Sequence, residues 1–165
     1  MNAIECIGTR RSVREYKNIP VDEETLNTII TSAICAPSGK NGQPWRFKMV
    51  MDKELINEVS QLSVYYPWMR TASVLVLVFL DHSHSYNYIK DVQSCGAAIQ
   101  NILLTAHALR LGSCWIGEVI DKGLEIKGIL DIENDDLELM GVVSLGYVER
   151  EPKLVGREAI SHFLI

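Results

Sequence analysis

Eight consecutive residues, Ser73-Val-Leu-Val-Leu-Val-Phe-Leu80, contain one serine and no charge. The run is far too short to cross a bilayer. Its β-branched and aromatic content reads as a strand, and a strand apolar on both alternating sides must be covered on both faces. A chain built around it therefore needs a layer of helices on each side of a sheet. One cover is plain in the sequence. From Lys90 to Leu111, the residues Val92, Cys95, Ile99, Ile102, Leu103, Ala106 and Leu109 recur at helical spacing. The polar residues of that segment (Asp91, Gln93, Gln100, Asn101, His107, Arg110) exclude a membrane span.

The remaining pattern supplies shorter elements. Asn2 and Glu5 have capping-box spacing and predict a helix to about Gly8. Asp22 is placed to cap a helix carrying Leu26, Ile29, Ile30, Ala33 and Ile34, which stops before Pro37. Ser38 to Pro44 is a loop by composition, and Trp45 to Met51 alternates as a strand. Asp52 caps a helix with Leu55, Ile56, Val59 and Leu62, and an irregular aromatic stretch follows around Tyr65, Tyr66, Pro67 and Trp68. Gly112 is read as the stop of the long helix. A short strand Ser113–Ile116, a helix Leu124–Leu130 and a strand Leu137–Leu145 complete the set. Strands separated by helices imply α/β or α+β, with strand order open. The 165 residues are read as one domain, 1–165, with no repeat or linker.

Composition narrows the function classes. The net charge of −5 gives no general attraction to nucleic acid or anionic membranes. A hydrophobic fraction of 47% is high for a short chain, which fits either a large core or a face hidden in a dimer. Cys6, Cys35, Cys95 and Cys114 form no CxxC pair, so neither a zinc knuckle nor an iron–sulfur site is expected. Free thiols and an N-terminus without a signal-peptide pattern point to the cytoplasm. His82-Ser-His84 lacks further metal ligands, and no metal site is expected. There is no GxGxxG after a strand, no GxxxxGK[ST], no GxSxG and no HExxH.

Three segments could carry chemistry. Arg10, Arg11 and Arg14, with the Ser12 hydroxyl, put three guanidinium groups within five residues. Arginine suits bidentate binding of phosphate. The same charges could equally complement the end of the first helix or face solvent. The loop Ala36-Pro-Ser-Gly-Lys-Asn-Gly-Gln-Pro-Trp45 offers two glycines and amide donors to a flat polar ligand, or simply makes turns. Gly112-Ser-Cys-Trp-Ile-Gly-Glu118 ends a strand in a glycine that permits close approach of a ligand. No side chain stands out as a catalytic acid, base or nucleophile, His107 included.

In this order the segments resemble the nitroreductase family. Ile7-Gly-Thr-Arg-Arg-Ser-Val-Arg-Glu-Tyr16 is similar to its RRSVRxF start, and Ala36 to Phe47 to its APSxxNxQPWxF loop. Ala97 to Leu104, followed by Leu111 to Gly117, is similar to its central helix and next strand, and Leu145-Gly-Tyr147 with a basic tail to its C-terminal signature. The resemblance implies an α+β, three-layer α-β-α fold with a mostly antiparallel central sheet, forming an entwined homodimer. It implies FMN at the subunit interface, with NADH or NADPH as electron donor and a nitroaromatic, quinone or similar small molecule as acceptor. Arg10 and Ser12, flanked by Arg11, would hold the phosphate and ribityl end, and Arg14 would reach the pyrimidine edge. Pro37, Ser38 and Gly39 would pack on the ring from the other subunit, in a loop shaped by Asn41 and Gln43. Gln61 falls near a flavin-contacting amide of the family. Backbone amides of Ile116, Gly117 and Glu118 would face N5 and O4. Arg157 with Lys153 would complete the phosphate clamp. The chain lacks the lid insertions of longer members, leaving Tyr65, Tyr66, Trp68 and Met69 as the pocket wall. Other readings within the fold are a flavin-storage protein, a dehydrogenase or dehalogenase, and a dimer that has lost its cofactor.

Overall fold

A computed structural model describes residues 1–153 and 155–165. Among these residues six α-helices run in order: α1 (Ala3–Thr9), α2 (Glu23–Ile34), α3 (Lys53–Gln61), α4 (Tyr66–Met69), α5 (Tyr88–Ala108) and α6 (Gly123–Ile129). Four strands are interspersed: β1 (Trp45–Val50), β2 (Val74–Asp81), β3 (Gly112–Ile116) and β4 (Leu137–Gly146). They form one sheet in the order β1-β2-β4-β3, with every adjacent pair antiparallel.

Every residue of β2 is buried. Val74, Val76, Val78 and Leu80 face a core shared with α2 and α5; Leu75, Leu77 and Phe79 face a second core with α3, α4 and α6. This is the double cover that the sequence demanded, arranged as three α-β-α layers. The Asp22 and Asp52 side chains accept the first-turn N–H groups of α2 and α3, at 2.8 Å from Thr25 and 2.9 Å from Glu54.

β4 carries a bulge. Val78 pairs with Gly141 and Phe79 with Leu139, leaving Met140 as the extra residue. Across it the inward faces exchange parity: Leu139 and Val142 both lie in the second core, while Met140, Val143 and Leu145 lie in the first. Gly141 adopts φ +157, and a Cβ there would stand 2.6 Å from Trp115 Nε1.

Two readings need correction. Gly112 does not stop α5. The helix ends at Ala108, Arg110 makes the left-handed turn at φ 64, and Gly112 opens β3. Its missing Cβ makes room for Val13, whose Cγ1 would lie 2.7 Å away. The helix also starts earlier than its apolar stripe, because Asn87 accepts the Lys90 N–H at 3.2 Å.

Asp91, 1% exposed, ties down that start. Burial alone would push its carboxyl up. The N–H of Asn87 (3.0 Å), the Ser85 hydroxyl (2.7 Å), the N–H of Tyr86 (3.0 Å) and the Lys90 charge outweigh it and hold the group below the usual carboxylate range. A depressed folded value means the contribution is present above the unfolded carboxylate's value and is lost as pH falls through the folded one. We expect Asp91→Asn to cost about 1–3 kcal/mol at pH 7. Its stability should also depend less steeply on pH below about 4 than the parent's. Urea denaturation at pH 7 and pH 3 measures both, and an equal deficit at the two pH values would remove the charge from the account.

Candidate functional site

The basic segment leaves α1 and lies along the free edge of β3. Val13 N–H donates to Ser113 O at 2.9 Å, and Ser12 bridges Ser113 in parallel. Val13 and Tyr16 are buried; the Tyr16 hydroxyl donates to Val13 O at 2.7 Å and lies 2.7 Å from Ser144 Oγ. Burial pushes that phenol far up, so it is a fixed structural hydroxyl. With Val13 and Tyr16 turned inward, Arg10, Ser12 and Arg14 are delivered to a pocket of about 400 Å³. The chain's other end closes it through Arg150, Lys153 and Arg157.

This pocket is crowded with positive charge. Arg150 pairs with Glu15 at 3.2 Å. Arg10, Arg14, Lys153 and Arg157 form no ion pair among the described residues. Burial, then the Arg157 charge and then Arg11 lower the proton affinity of Arg10. Arg157 is thus the tail cation that acts on Arg10. Arg11 is divided: Nη1 donates to Gly8 O (2.9 Å) and Arg10 O (2.7 Å), while Nε is buried without a partner. The helix-end role weighed for the arginines therefore applies to Arg11.

Ile116, Gly117 and Glu118 lie at the far end of β3. Ser113 to Gly117 is about 13 Å of extended chain, so one edge strand links the arginine pocket to these amides. Beside them the Glu118 carboxylate accepts the Ser63 hydroxyl at 2.7 Å. The Arg14 guanidinium sits 5.9 Å from the Trp68 ring centre. The sequence assigned Glu118 only by its backbone and gave no sign of either contact, since the partners are 54 to 55 positions apart in each case.

Within one chain, Pro37, Ser38, Gly39, Asn41, Gln43 and Gln61 do not line the arginine pocket. The loop follows α2 as a 3-10 turn over Gly39–Asn41, with Lys40, Asn41 and Gln43 at φ 54, 54 and 49. Ser38 Oγ accepts the Gln43 N–H at 3.1 Å. A Cβ at Gly39 would meet the end of the Tyr86 side chain, which would have to move aside. Gln61 ends α3 and is exposed.

Among the described residues none is arranged as a nucleophile. Burial raises Cys114, and Cys95 is pushed up to about 12 by burial and then by Asp91. His82 pairs with Glu138 at 2.7 Å and His84 with Asp81 at 2.8 Å. Among the described residues no group of His, Cys, Asp and Glu could hold a metal, and no helix is long and apolar enough to cross a membrane.

Comparison with known proteins places this geometry. The description "Nitroreductase family" matches residues 7–64 and 57–147. A protein of Archaeoglobus fulgidus, provisionally named NADH dehydrogenase/NAD(P)H nitroreductase, is 35% identical over 90% of this chain and 86% of its own length. The FMN reductase [NAD(P)H] of Bacillus subtilis is 27% identical over 96% of this chain and 72% of its own. Among solved structures, a provisionally named nitroreductase from Desulfovibrio desulfuricans in complex with FMN has a TM-score of 0.94 and 34% identity, covering 100% of this chain and 96% of that one. By sequence and by fold, the chain belongs to the nitroreductase family.

Proposed function

We propose that this chain is a cytoplasmic, homodimeric FMN-dependent oxidoreductase. It takes electrons from NADH or NADPH and passes them to nitroaromatic, quinone or similar small acceptors. The observation that carries the reading is Arg10, desolvated beside Arg157 and without an anionic partner among the described residues. Like charges gathered in a pocket are costly unless an anion joins them, and a phosphate monoester has the charge and oxygen geometry to do so.

The residues present fit FMN. Arg10 and Ser12, with Arg157 and Lys153, hold its phosphate and ribityl end, flanked by Arg11. Arg14, braced by Trp68, serves the pyrimidine edge. The amides of Ile116, Gly117 and Glu118 serve N5 and O4. Pro37, Ser38 and Gly39, with Asn41 and Gln43, come from the partner subunit, which fits their absence from the pocket lining in one chain, and Gln61 supplies a further amide. Bound there, FMN would supply the electron-transfer chemistry. Donor and acceptor would use one open face in turn, giving ping-pong kinetics.

A dimer is supported by exposed apolar side chains that a monomer has no use for. Ile4 and Ile7 on α1 are 81% and 57% exposed, and Phe163 and Leu164 in the tail are each 69% exposed. The free thiols suit a reducing compartment. Residues 1–165 act as one FMN-binding domain.

The test is an absorption spectrum of the purified protein before and after NADH or NADPH under argon. We expect flavin bands that bleach; bands that persist would favour storage or another donor, and failure to bind FMN on reconstitution would sink the reading. Arg10→Ala should weaken FMN binding by about 1.5–3 kcal/mol, the value of a hydrogen bond to a charged group, read by fluorescence titration; unchanged affinity would remove Arg10 from the phosphate site. The pair Ile4→Asp and Ile7→Asp should shift sedimentation from dimer toward monomer and release FMN. A dimer that persists with full FMN would place the interface elsewhere.

A further inference from the structure

The segment Ser63–Trp68 joins α3 to α4 and is fastened at both ends to groups assigned above to the cofactor. At one end both carboxylate oxygens of Glu118 are engaged: Oε2 accepts the Ser63 hydroxyl at 2.7 Å, and Oε1 accepts the Val64 N–H at 3.5 Å. Ser63, 6% exposed, also accepts the Tyr65 N–H on its Oγ at 3.0 Å, which completes the turn. At the other end Trp68 lies under Arg14 and packs at a 36° tilt against Tyr65, whose ring centre is 5.5 Å away. Below, Met69 is fully buried and the Tyr66 hydroxyl donates to Asn57 Oδ1 at 3.1 Å. The segment is therefore a ledge tied down at several points that leaves Tyr65 42% exposed and Trp68 half-buried.

An exposed carboxylate usually gains little from a single contact. Glu118 differs in that both oxygens are used, by a hydroxyl and a backbone amide, and no cation pairs with it among the described residues. Hydrogen bonds to an ionised acceptor are the stronger kind. The contact ties the aromatic segment to the backbone that the flavin reading assigns to N5 and O4.

We propose that Ser63 is a positioning residue. With the Glu118 carboxylate it forms a latch that makes the Tyr65–Trp68 ledge and the Gly117–Glu118 backbone one body, and the latch sets selectivity for planar aromatic acceptors. The acceptor part rests on the flavin reading above. Aromatic faces favour offset or edge-on contact with another flat ring. That contact is lost when the ledge tilts, whereas an acceptor that needs only electron transfer at the edge is indifferent to it.

The first arm uses the unloaded protein. Hydrogen–deuterium exchange is followed in Ser63→Ala, Glu118→Ala and Glu118→Gln. The latch requires Ser63→Ala to speed exchange at 117–120 as well as at 63–66, Glu118→Ala to speed it at 63–66 as well as at 117–120, and Glu118→Gln, which keeps one acceptor oxygen, to have a smaller effect. Changes confined to the mutated segment would overturn it. The second arm uses FMN-loaded Ser63→Ala with NADH. We expect KM for menadione to rise by about fivefold, the scale of losing one aromatic–aromatic contact, with kcat/KM for ferricyanide within about twofold of the parent. Parallel losses with both acceptors, or none with either, would overturn the selectivity role. A parent protein that holds no FMN would retire the flavin reading and the acceptor role with it, while the exchange arm would still decide the latch.

Discussion

Everything in this molecule is organised by one strand that has no polar side. β2 cannot sit at a sheet edge or under solvent, because burial of its eight residues is complete on both faces. That forces neighbours on each side, supplied by β1 and β4, and helices above and below. The two cores that result are separate, and the sheet is the wall between them. β3 is left at an edge, where its backbone is offered to whatever lies alongside: first Ser12 and Val13, and beyond them open strand. The most apolar part of the chain thus determines where its most polar part must lie.

That polar part opposes the chain's overall charge. The molecule is acidic by five charges, yet Arg10, Arg14, Lys153 and Arg157 converge on one pocket. Two of the segments that bring them there are held by backbone bonds rather than by the charges. Val13 is fixed to Ser113, and Glu149 N–H donates to Glu15 O at 3.0 Å. The scaffold, and no ion pair among the described residues, holds Arg10, Arg14, Lys153 and Arg157 against their mutual repulsion. A site that costs the folded chain some stability is the usual mark of a binding function.

How much of this was legible depended on the range of the interaction. Elements fixed by local pattern were readable: the β2 run, the Asp22 and Asp52 caps, the α5 stripe. Sheet order was not, because antiparallel pairing is decided between distant segments. The end of α5 was misjudged for a physical reason: a glycine can serve a turn or a tight contact, and at Gly112 it serves the contact with Val13. In the site, charge clustering made the arginines visible, but the division of labour was not. That Arg11 turns back to Gly8 and Arg150 is taken by Glu15 depends on side-chain directions that spacing does not encode. The Ser63–Glu118 contact had no local signal at all.

The bulge in β4 has a consequence for chain length. Since Met140 is the residue without a cross-strand partner, its removal would leave Leu139 opposite Phe79 and Gly141 opposite Val78, with every later side chain still on its own face. Loss of a residue elsewhere in the strand would keep the later pairs only by drawing Met140 into the ladder, which turns the residues between the two points onto the opposite face. Along this ten-residue strand, relatives that differ by a single-residue gap should therefore place it at 140. The same position is the natural point at which a shorter ancestor could have gained a residue without refolding its core.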